Sequence, residues 1–518
     1  MTTRQCNGSA AYAGRTRQVW DRLLAPFGGH PCDLYPGGWH RSSSVAVLGS
    51  SSSIAGLPPG PSVPPVVQML RWLRNPLPTL EAAARRFGDV FTMRMPMNPP
   101  FVVFSDPEAV KDIFTGDPDH LRAGEAALIL ESVLGEHSLL LLDGQKHLRE
   151  RRLMLPPFHG ERMRSYGEAM RDAALLSSAT WPIGRPFPIH PEMQAITLEV
   201  ILRTVFGLDD AEELARMREL LVRWSRLGTS RLGTSLLIAV PPAYAGKLAD
   251  IAGATIDLGR WRMEVGRLAP WSALVRAKTA VDQLLNRAIA ERRRAGGVRD
   301  DVLSMLLLAR DEQGAPMTDG ELHDEMLTLV IAGHETSATT LAWTVHHLLA
   351  NPAAMARVQE ELDTVVGAGP VSPDHVPRLE WLDAVIKETL RLTPIVPFVA
   401  RKLAQPACIG GRELPAGVIA LASIYLTHRR PNRWPDPDRF DPSRFIGRRI
   451  DPYSYYPFGG GTRRCLGMAF AGYEMKIVLA TILSRVALRP VPGAEVKLVR
   501  RGLTFAPSGG MPVVASHR

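Results

Sequence analysis

Cys465 stands in a loop whose residue types suit a metal ligand better than a structural thiol. The segment Phe458–Gly467 reads FGGGTRRCLG, and its three glycines allow the backbone to approach a flat or bulky group closely. The apolar run that follows predicts a helix over Met468–Leu483, which would place the Cys465 sulfur at a helix N-terminus. A thiol there, beside Arg463 and Arg464, is expected to have a pKa below its ordinary value of about 8.5, and the thiolate is the form that binds metals. The loop therefore predicts that Cys465 is a metal ligand.

Three other segments carry polar side chains at spacings that could serve chemistry, although each has an ordinary structural explanation. Glu388–Arg391 places an acidic and a basic side chain one turn apart on a predicted helix, where such pairs usually lie on the protein surface. The segment Ala332–Ser337 has Gly and Thr inside a helix, and a Thr hydroxyl there can bond back to a carbonyl one turn earlier. The segment Asp143–Arg152 reads DGQKHLRERR, a basic helix face of the kind that is usually solvated.

One predicted helix is long enough to carry a site across a whole domain. Thr318 and Glu321 form a capping-box pattern that begins it, and Asn351-Pro352 ends it. Roughly 33 residues at about 1.5 Å each give a helix of roughly 50 Å. Because its apolar residues occur on nearly every side, we expect it to be central and buried, with Ala332–Ser337 near its middle.

The rest of the chain from Leu57 onwards reads as mainly helical with small β-sheets. The segments Asp89–Met95 and Phe101–Phe104 predict an early hairpin, and Ala420–Leu426 predicts another strand. Leu57–Pro65 is a proline-stiffened segment that cannot lie inside a helix, and we expect the ordered fold to begin there.

The first 56 residues differ from the rest in composition. They are rich in Gly, Ser and Arg and have no sustained hydrophobic period, so we expect a disordered N-terminal extension. The predicted organisation is this extension, residues 1–56, followed by a single catalytic domain over residues 57–518.

The composition excludes several classes of protein. Apolar residues make up 45% and charged residues 22% of the chain, ordinary values for a globular protein, and no apolar window is long enough for a membrane span. There is no secretory signal, and the four cysteines are far apart without a CxxC pair, so we expect no zinc site and a reducing, cytoplasmic location. The net charge of +9 accompanies no nucleic-acid-binding motif, so no nucleic-acid partner is expected. We expect a monomer.

The Cys465 loop resembles the haem-binding loop of the cytochrome P-450 family. That family has a Phe, a Gly three residues later, a basic residue two before the Cys and a Gly two after it, and Phe458, Gly461, Arg463 and Gly467 match in order. The resemblance spans nearly all of the predicted domain and implies the cytochrome P-450 fold, mainly α with small β-sheets, a long central distal helix and a proximal Cys loop. It also implies a haem b (iron protoporphyrin IX) whose iron is held by Cys465.

The resemblance gives a structural role to the Glu388–Arg391 pair. In the family a helical Glu and Arg bind a third arginine from a later loop, which is Arg444 here. This triad is implied to fix the segment that presents the Cys loop.

The resemblance also gives roles to residues in the middle of the long helix. Its acid–threonine pair, Glu335 and Thr336, is implied to relay protons to dioxygen bound at the distal face of the haem. Gly333 is implied to border the haem, and His334 falls at a variable position, where we expect packing and no bond to iron.

Four basic side chains are implied to bind the haem propionates. The family has a Trp-x-x-x-Arg pattern for this purpose, and this chain has His147 and Arg151 in those places. Arg401 and Arg463 fit two further propionate-binding positions, and Phe458 opens the proximal loop against the haem. His147 departs from the family pattern, although an imidazole can also donate to a carboxylate.

The implied reaction is a monooxygenation, in which one oxygen atom of O2 enters a hydrophobic small molecule and the other leaves as water. The segments expected to line the pocket are mostly aliphatic, which favours a fatty acid, terpenoid or polyketide-like substrate. These segments are Ala126–Leu134, Leu221–Val240, Ile331–Thr336, Ile395–Val399 and Leu503–Ala506.

Electrons are expected from separate proteins. The sequence has no flavin or nicotinamide fingerprint, so a ferredoxin or flavodoxin with its reductase is the expected partner. Four basic side chains could steer such an acidic carrier to the Cys465 side, namely Lys146, Arg149, Arg152 and Arg464.

Two other functions stay open. A haem-thiolate isomerase, dehydratase or peroxygenase would need no reductase, but it would also need no proton relay, and Glu335-Thr336 argues against it. A haem-binding sensor or carrier without turnover would leave the combined relay, triad and propionate residues unexplained.

Overall fold

The proline-rich segment Leu57–Pro65 leads into the first helix and is fixed to the first strand. In this computed structural model, which describes residues 56–229, 256–257, 262–263 and 272–518 except 97, 161, 209, 297, 298 and 503, the Thr92 amide donates to the Pro59 carbonyl and the Thr92 hydroxyl to the Pro58 carbonyl. The expected N-terminal extension lies outside the described residues apart from Gly56. The extension and the domain boundary therefore stay predictions.

Helices dominate the described chain, and short strands interrupt them. The helices are α1 (Pro65–Arg74), α2 (Pro76–Phe87), α3 (Pro107–Thr115), α4 (Ala123–Ala126), α5 (Glu131–Leu134), α6 (Gly144–Met154), α7 (Arg162–Ser178), α8 (Ile189–Phe206), α9 (Ala211–Thr229), α10 (Ser272–Ala295), α11 (Val302–Leu308), α12 (Asp319–Ala350), α13 (Pro352–Val365), α14 (Glu380–Leu392), α15 (Ile424–Thr427) and α16 (Met468–Leu483). The strands are β1 (Val90–Met93), β2 (Phe101–Phe104), β3 (Leu121–Arg122), β4 (Pro186–Pro188), β5 (Ile256–Asp257), β6 (Arg262–Met263), β7 (Phe398–Leu403), β8 (Ala407–Ile409), β9 (Arg412–Leu414), β10 (Ile419–Ser423), β11 (Val486–Pro490), β12 (Leu498–Arg501), β13 (Thr504–Pro507) and β14 (Pro512–His517). The predicted class, mainly α with small β-sheets, is confirmed.

The predicted long helix is confirmed as α12. Both halves of its capping box are present, since the Glu321 amide donates to the Thr318 hydroxyl at 3.2 Å and the Thr318 amide donates to the Glu321 carboxylate at 2.7 Å. It ends where the residue before Pro352 leaves the helical conformation. The helix packs against α8, α14, α16 and the β12–β13 hairpin, and side chains on most of its sides are buried. It is therefore the central element on which a site can be built.

The largest sheet holds the early hairpin that the sequence predicts. Its strand order is β1-β2-β10-β7-β3, with β2 and β10 parallel and the other pairs antiparallel. One face buries Val102, Phe104 and Ala420 in a core with α3, and the other buries Phe91 and Leu421 against α2. The sheet thus fixes β7, the strand that carries Arg401.

The strand predicted over Ala420–Leu426 is right in its first half and wrong in its second. Strand β10 ends at Ser423, and α15 begins at Ile424. The Ser423 hydroxyl accepts from the Leu426 amide, so the side chain caps a helical turn where the apolar pattern alone favours a continued strand.

Among the described residues, no helix combines the length and the hydrophobicity that crossing a lipid bilayer requires.

Candidate active site

The Cys465 loop has the local geometry that its sequence predicts. A short turn over Gly461–Arg463 brings the Cys465 amide to the Phe458 carbonyl at 2.9 Å. Helix α16 then begins at Met468, as expected, with Gly467 at its N-cap. The Cys465 side chain is accessible to solvent although dense protein surrounds and desolvates it. The sulfur therefore faces an internal space and not the outer surface.

The expectation of a lowered pKa for Cys465 is wrong for the protein alone. Burial raises the pKa of the thiol, and the Gly467 amide and the Arg151 guanidinium oppose this rise only in part. The two neighbours named from the sequence do not act on it, because Arg464 is exposed and Arg463 is bound to Asp143. A bound metal cation would reverse this balance, since it favours the thiolate.

Two of the three loop glycines lie directly against Phe114 of α3. A Cβ on Gly460 would lie 2.2 Å from the Phe114 ring of α3, and a Cβ on Gly461 would lie 2.1 Å from the Phe114 carbonyl oxygen. Gly461 also has a φ of +64°, which side chains disfavour. Phe114 therefore requires glycine at both positions, through its ring at Gly460 and through its backbone carbonyl at Gly461.

The middle of α12 has one accessible face. Ala332 is exposed and Thr336, one turn later on the same face, is half-buried, whereas His334 and Glu335 between them are buried. The Thr336 hydroxyl donates to the Ala332 carbonyl at 2.6 Å, the back-bond that the sequence predicts. An exposed alanine in the middle of the central helix indicates an internal space beside this face.

Glu335 points away from that face. Gln194 of α8 donates to its carboxylate, and the Arg501 Nε lies 3.7 Å from its Oε1. Burial raises the pKa of Glu335, while Arg501 and Gln194 lower it. The structure makes no hydrogen bond between the Glu335 carboxylate and the Thr336 hydroxyl, so the predicted pair is adjacent in the chain but not joined.

The other two residues singled out in this segment pack against α8. A Cβ on Gly333 would lie 2.8 Å from the Ile201 Cδ1, so the glycine allows α12 and α8 to approach closely. The His334 carbonyl accepts from the Thr197 hydroxyl at 3.0 Å, and burial lowers the pKa of the His334 imidazole to about 4. Packing explains both residues, and the contact of Gly333 with a haem stays a prediction.

The four predicted propionate-binding residues converge. His147 and Arg151 lie on α6, Arg401 on β7 and Arg463 in the Cys loop. Burial, followed by the charges of Arg463, Arg151 and Arg401, lowers the pKa of His147 to about 3, so its imidazole is neutral at physiological pH. Burial and the like charge of Arg463 lower the pKa of Arg401 to about 10. The charges of all three arginines thus act on His147, that of Arg463 acts on Arg401, and that of Arg151 acts on Arg463.

Asp143 is the residue of this cluster whose role the sequence did not reveal. Its carboxylate binds Arg463 and accepts from the Gly124 and Glu125 amides at 2.9 and 3.0 Å. It is the one carboxylate that acts on Arg401 or Arg463 in the described part of the chain. Its place at the N-cap of α6 was the available signal, but that position by itself predicts only a helix start.

The cluster has an excess of positive charge at a buried site. Arg401 and Arg463 share one carboxylate, Asp143, and Arg401 is only 6% exposed, with the Ala400 carbonyl as the hydrogen-bond partner of its guanidinium within the described residues. Buried cations are costly unless an anion compensates them. The residues present therefore fit a haem, with Cys465 for the iron and the cations for two propionate carboxylates.

The predicted triad is confirmed, and its contacts go beyond a charge pair. Arg391 and Glu388 are both fully buried and joined by two hydrogen bonds of 2.7 and 2.8 Å, and the Arg444 Nε lies 3.4 Å from the Glu388 carboxylate. Arg391 also donates to the carbonyls of His428, Pro437 and Arg439. The triad thus clamps the segment that precedes the Cys loop.

The four basic residues expected to face an electron carrier differ in their availability. Arg149 is bound by Asp311, Glu321 and Glu150, and Arg152 pairs with Glu312. Lys146 and Arg464 are exposed and form no ion pair with any described residue. Carboxylates of the same chain therefore pair with Arg149 and Arg152, whereas Lys146 and Arg464 remain available for an ion pair with a partner protein.

The family comparison assigns most of the chain to one family model. The model named Cytochrome P450 matches residues 58–227 and 268–512. Among curated proteins, the chain is 40% identical over 441 residues to the putative cytochrome P450 135B1 of Mycobacterium tuberculosis (strain ATCC 25618 / H37Rv), covering 85% of this chain and 87% of that protein. It is 34% identical over 479 residues to the putative cytochrome P450 138 of Mycobacterium bovis (strain ATCC BAA-935 / AF2122/97), covering 92% and 100%.

Solved structures share the fold. The heme domain of cytochrome P450DA superposes with a TM-score of 0.74 at 26% identity and covers 90% of this chain and 98% of its own. The cyanobacterial CYP120A1, solved with retinoic acid bound, gives the same TM-score at 24% identity and covers 89% and 100%.

Proposed function

Because the chain belongs to the cytochrome P450 family of haem-dependent monooxygenases, we propose that it uses haem b to insert one oxygen atom of O2 into a hydrophobic small molecule. The observation that carries the proposal is the pairing of Cys465, which is accessible to solvent although protein surrounds it, with Arg151, Arg401 and Arg463, of which Arg401 is buried without an ion pair among the described residues. When bound, the haem would supply the activation of dioxygen. The chain supplies the ligand, the counter-ions, the protons and the pocket.

Each part of the site then has a task. Cys465 holds the iron as its thiolate, and Arg151, Arg401 and Arg463, with His147 as a neutral donor, bind the propionates. The Thr336 hydroxyl, on the accessible face of α12, can donate a hydrogen bond into the internal space if it turns from the Ala332 carbonyl. Gly333 of α12 and Phe458 of the Cys loop would both contact the haem.

The substrate class follows from the aliphatic segments expected around the pocket. Of these, Ala126–Leu134, Ile331–Thr336 and Ile395–Val399 are fully described, while residues 230–240 and Leu503 lie outside the described residues. Val396, two residues before β7, is an exposed apolar side chain in one of these segments. A fatty acid, terpenoid or polyketide-like compound fits such a lining better than a charged compound does.

The direct test is oxygen labelling. Candidate lipids, terpenoids and macrolide-like compounds are first screened for those that change the spin state of the haem iron. A hit is then turned over under labelled O2 with a ferredoxin, its reductase and a nicotinamide. Incorporation of one labelled atom into the product is expected, and a product without label would contradict the proposal.

We predict that Thr336→Ala uncouples turnover. Without the hydroxyl, proton delivery to dioxygen is impaired, and reducing equivalents should leave as peroxide. The measurement is peroxide formed and product formed for each nicotinamide oxidised, and the peroxide share should rise several-fold. Thr344→Ala is the matched control, since Thr344 makes the same kind of back-bond to Thr340 two turns further on in a buried position. Equal coupling in the two variants would remove Thr336 from the relay.

The electron partner is proposed to be a small acidic ferredoxin or flavodoxin that approaches Lys146 and Arg464. We predict that Lys146→Glu combined with Arg464→Glu slows reduction of the haem by about tenfold at low salt, because steering depends on long-range attraction. The difference should shrink as salt is added. Arg412→Glu on β9, also exposed and without an ion pair among the described residues, is the control. If the stopped-flow reduction rates of the three proteins agree at low salt, this surface is not the docking site.

One observation favours a second candidate function. The Glu335 carboxylate contacts Gln194 and Arg501 and makes no hydrogen bond to Thr336. A peroxygenase needs no proton relay to dioxygen, so this separation of the acid from the threonine is compatible with one. Product formation with hydrogen peroxide alone, at a rate equal to that with reductase and O2, would establish the peroxygenase.

A further inference from the structure

Glu335 lies in a set of contacts that a role in proton delivery does not by itself explain. Its carboxylate is buried where α12, α8 and β12 meet. Gln194 of α8 donates to one oxygen, and the Nε of Arg501, the last residue of β12, lies 3.7 Å from the other. That second oxygen makes no hydrogen bond of normal geometry with any described residue. Its main interaction is therefore with the charge of Arg501.

The other titratable groups around Glu335 are neutral at physiological pH. The His334 Nε2 lies 4.0 Å from the carboxylate, but burial lowers the pKa of His334 to about 4. His190 of α8 bonds to the Thr339 hydroxyl, and burial lowers its pKa to about 4 as well. The positive charge of Arg501 contributes to the lowering in both histidines. Within the described part of the chain, Arg501 is thus the cation that faces Glu335.

Arg501 is placed by the same helix that carries Glu335. The β12–β13 hairpin pairs Arg501 with Thr504, whose hydroxyl donates to the Arg501 carbonyl at 3.0 Å. The indole of Trp343, two turns beyond Glu335 on α12, donates to the Phe505 carbonyl of the same hairpin at 3.3 Å. The backbone of the hairpin that carries Arg501 is therefore attached to α12, the helix that carries Glu335.

We propose that Arg501 is a positioning residue for Glu335, which holds the carboxyl turned towards α8, favours its charged form and so sets the pH range in which Glu335 can exchange protons. The inference rests on the proposed function and deepens it, because Glu335 is the acid that the family resemblance implies for proton delivery. An opposite charge within about 4–6 Å favours the carboxylate and lowers the pKa of the carboxyl group by about one to three units. The Arg501 side chain is 27% exposed, and solvent weakens its field, so the lower end of that range is expected.

The test measures ionisation of Glu335 directly. Infrared spectra of the haem-loaded protein are recorded across the titration range of carboxyl groups, since a protonated carboxyl has a carbonyl stretch that a carboxylate lacks. In Arg501→Gln, this band should persist to a pH about one unit higher than in the unmodified protein. The band should return to the unmodified behaviour in Arg501→Lys, which keeps the charge. Arg500→Gln, the neighbouring strand residue that does not act on Glu335, is the matched control.

A second variant assigns the band. Glu325 and Glu474 are also buried carboxyls whose pKa values burial raises, so they contribute a background that each difference spectrum must cancel. The extra band in Arg501→Gln should vanish when Glu335→Gln is added. If Arg501→Gln shows no extra band, or if the band survives Glu335→Gln, the proposal is overturned. Neither result depends on turnover, so failure of the proposed oxygenase function would be seen separately in the labelling experiment.

Discussion

Cys465→Ser is expected to remove the strongly red-shifted carbon monoxide band of the reduced protein and to lower turnover by at least about a thousandfold. A thiolate donates electron density to haem iron, and this donation is what shifts the band and favours cleavage of the O–O bond. A serine hydroxyl in the same place is far harder to deprotonate. Burial already raises the pKa of the thiol at this position, and the same desolvation would disfavour an alkoxide still more.

The matched control for this prediction is the other described cysteine. Cys408 lies on strand β8, is exposed, and touches none of the residues assigned to the haem. Cys408→Ser should keep the band and the turnover of the unmodified protein. Persistence of the band in a folded, haem-loaded Cys465→Ser sample would overturn the assignment of the iron ligand, and with it the proposed function.

The elements that position the site could be predicted because their signals are local. The capping box at Thr318 and the proline after Asn351 mark both ends of α12, and each signal acts within one turn of chain. The start of α16 at Met468 follows from the apolar run beside the Cys loop. Short-range hydrogen bonding and side-chain periodicity are the same in any fold, so they can be read before the fold is known.

The directions of the side chains could not be predicted in the same way. Glu335 is adjacent to Thr336 in sequence, but successive residues on a helix point about 100° apart. Glu335 therefore meets Gln194, 141 residues away. Gly460 and Gly461 of the Cys loop likewise lie against Phe114 of a distant helix. Contacts of this kind depend on how elements pack, which the local pattern does not contain.

The pKa of Cys465 shows how a local argument can have the wrong sign. A helix N-terminus and two neighbouring arginines predict a lower value. The fold instead buries the thiol, uses Arg463 to bind Asp143 and leaves Arg464 at the surface. The cations near a thiol in sequence are thus not the cations near it in space, since the one that acts is Arg151 of α6.

The second large effect is expected at Arg391. Arg391→Met should lower the free energy of unfolding by about 3–5 kcal/mol, because it leaves the buried Glu388 carboxylate without its bidentate partner. Haem loading should fall in parallel, since the clamped segment precedes the Cys loop. The measurements are guanidinium unfolding of the haem-free protein and the haem content after purification. Arg439→Ala is the control: its side chain is 64% exposed and forms ion pairs in the same segment, so it should cost about 0.5 kcal/mol or less.

A double variant shows what the triad contributes beyond charge. Replacing both members of a buried ion pair by apolar residues is often neutral, and Glu388→Met with Arg391→Met would remove both charges. Here recovery is not expected. Three carbonyls, those of His428, Pro437 and Arg439, would lose their donor, and the Asp441 amide would lose its acceptor. Each buried group left unpaired costs about 1–3 kcal/mol. If the double variant were as stable as the unmodified protein, the triad would be a simple ion pair and not a clamp on the backbone that carries the Cys465 loop.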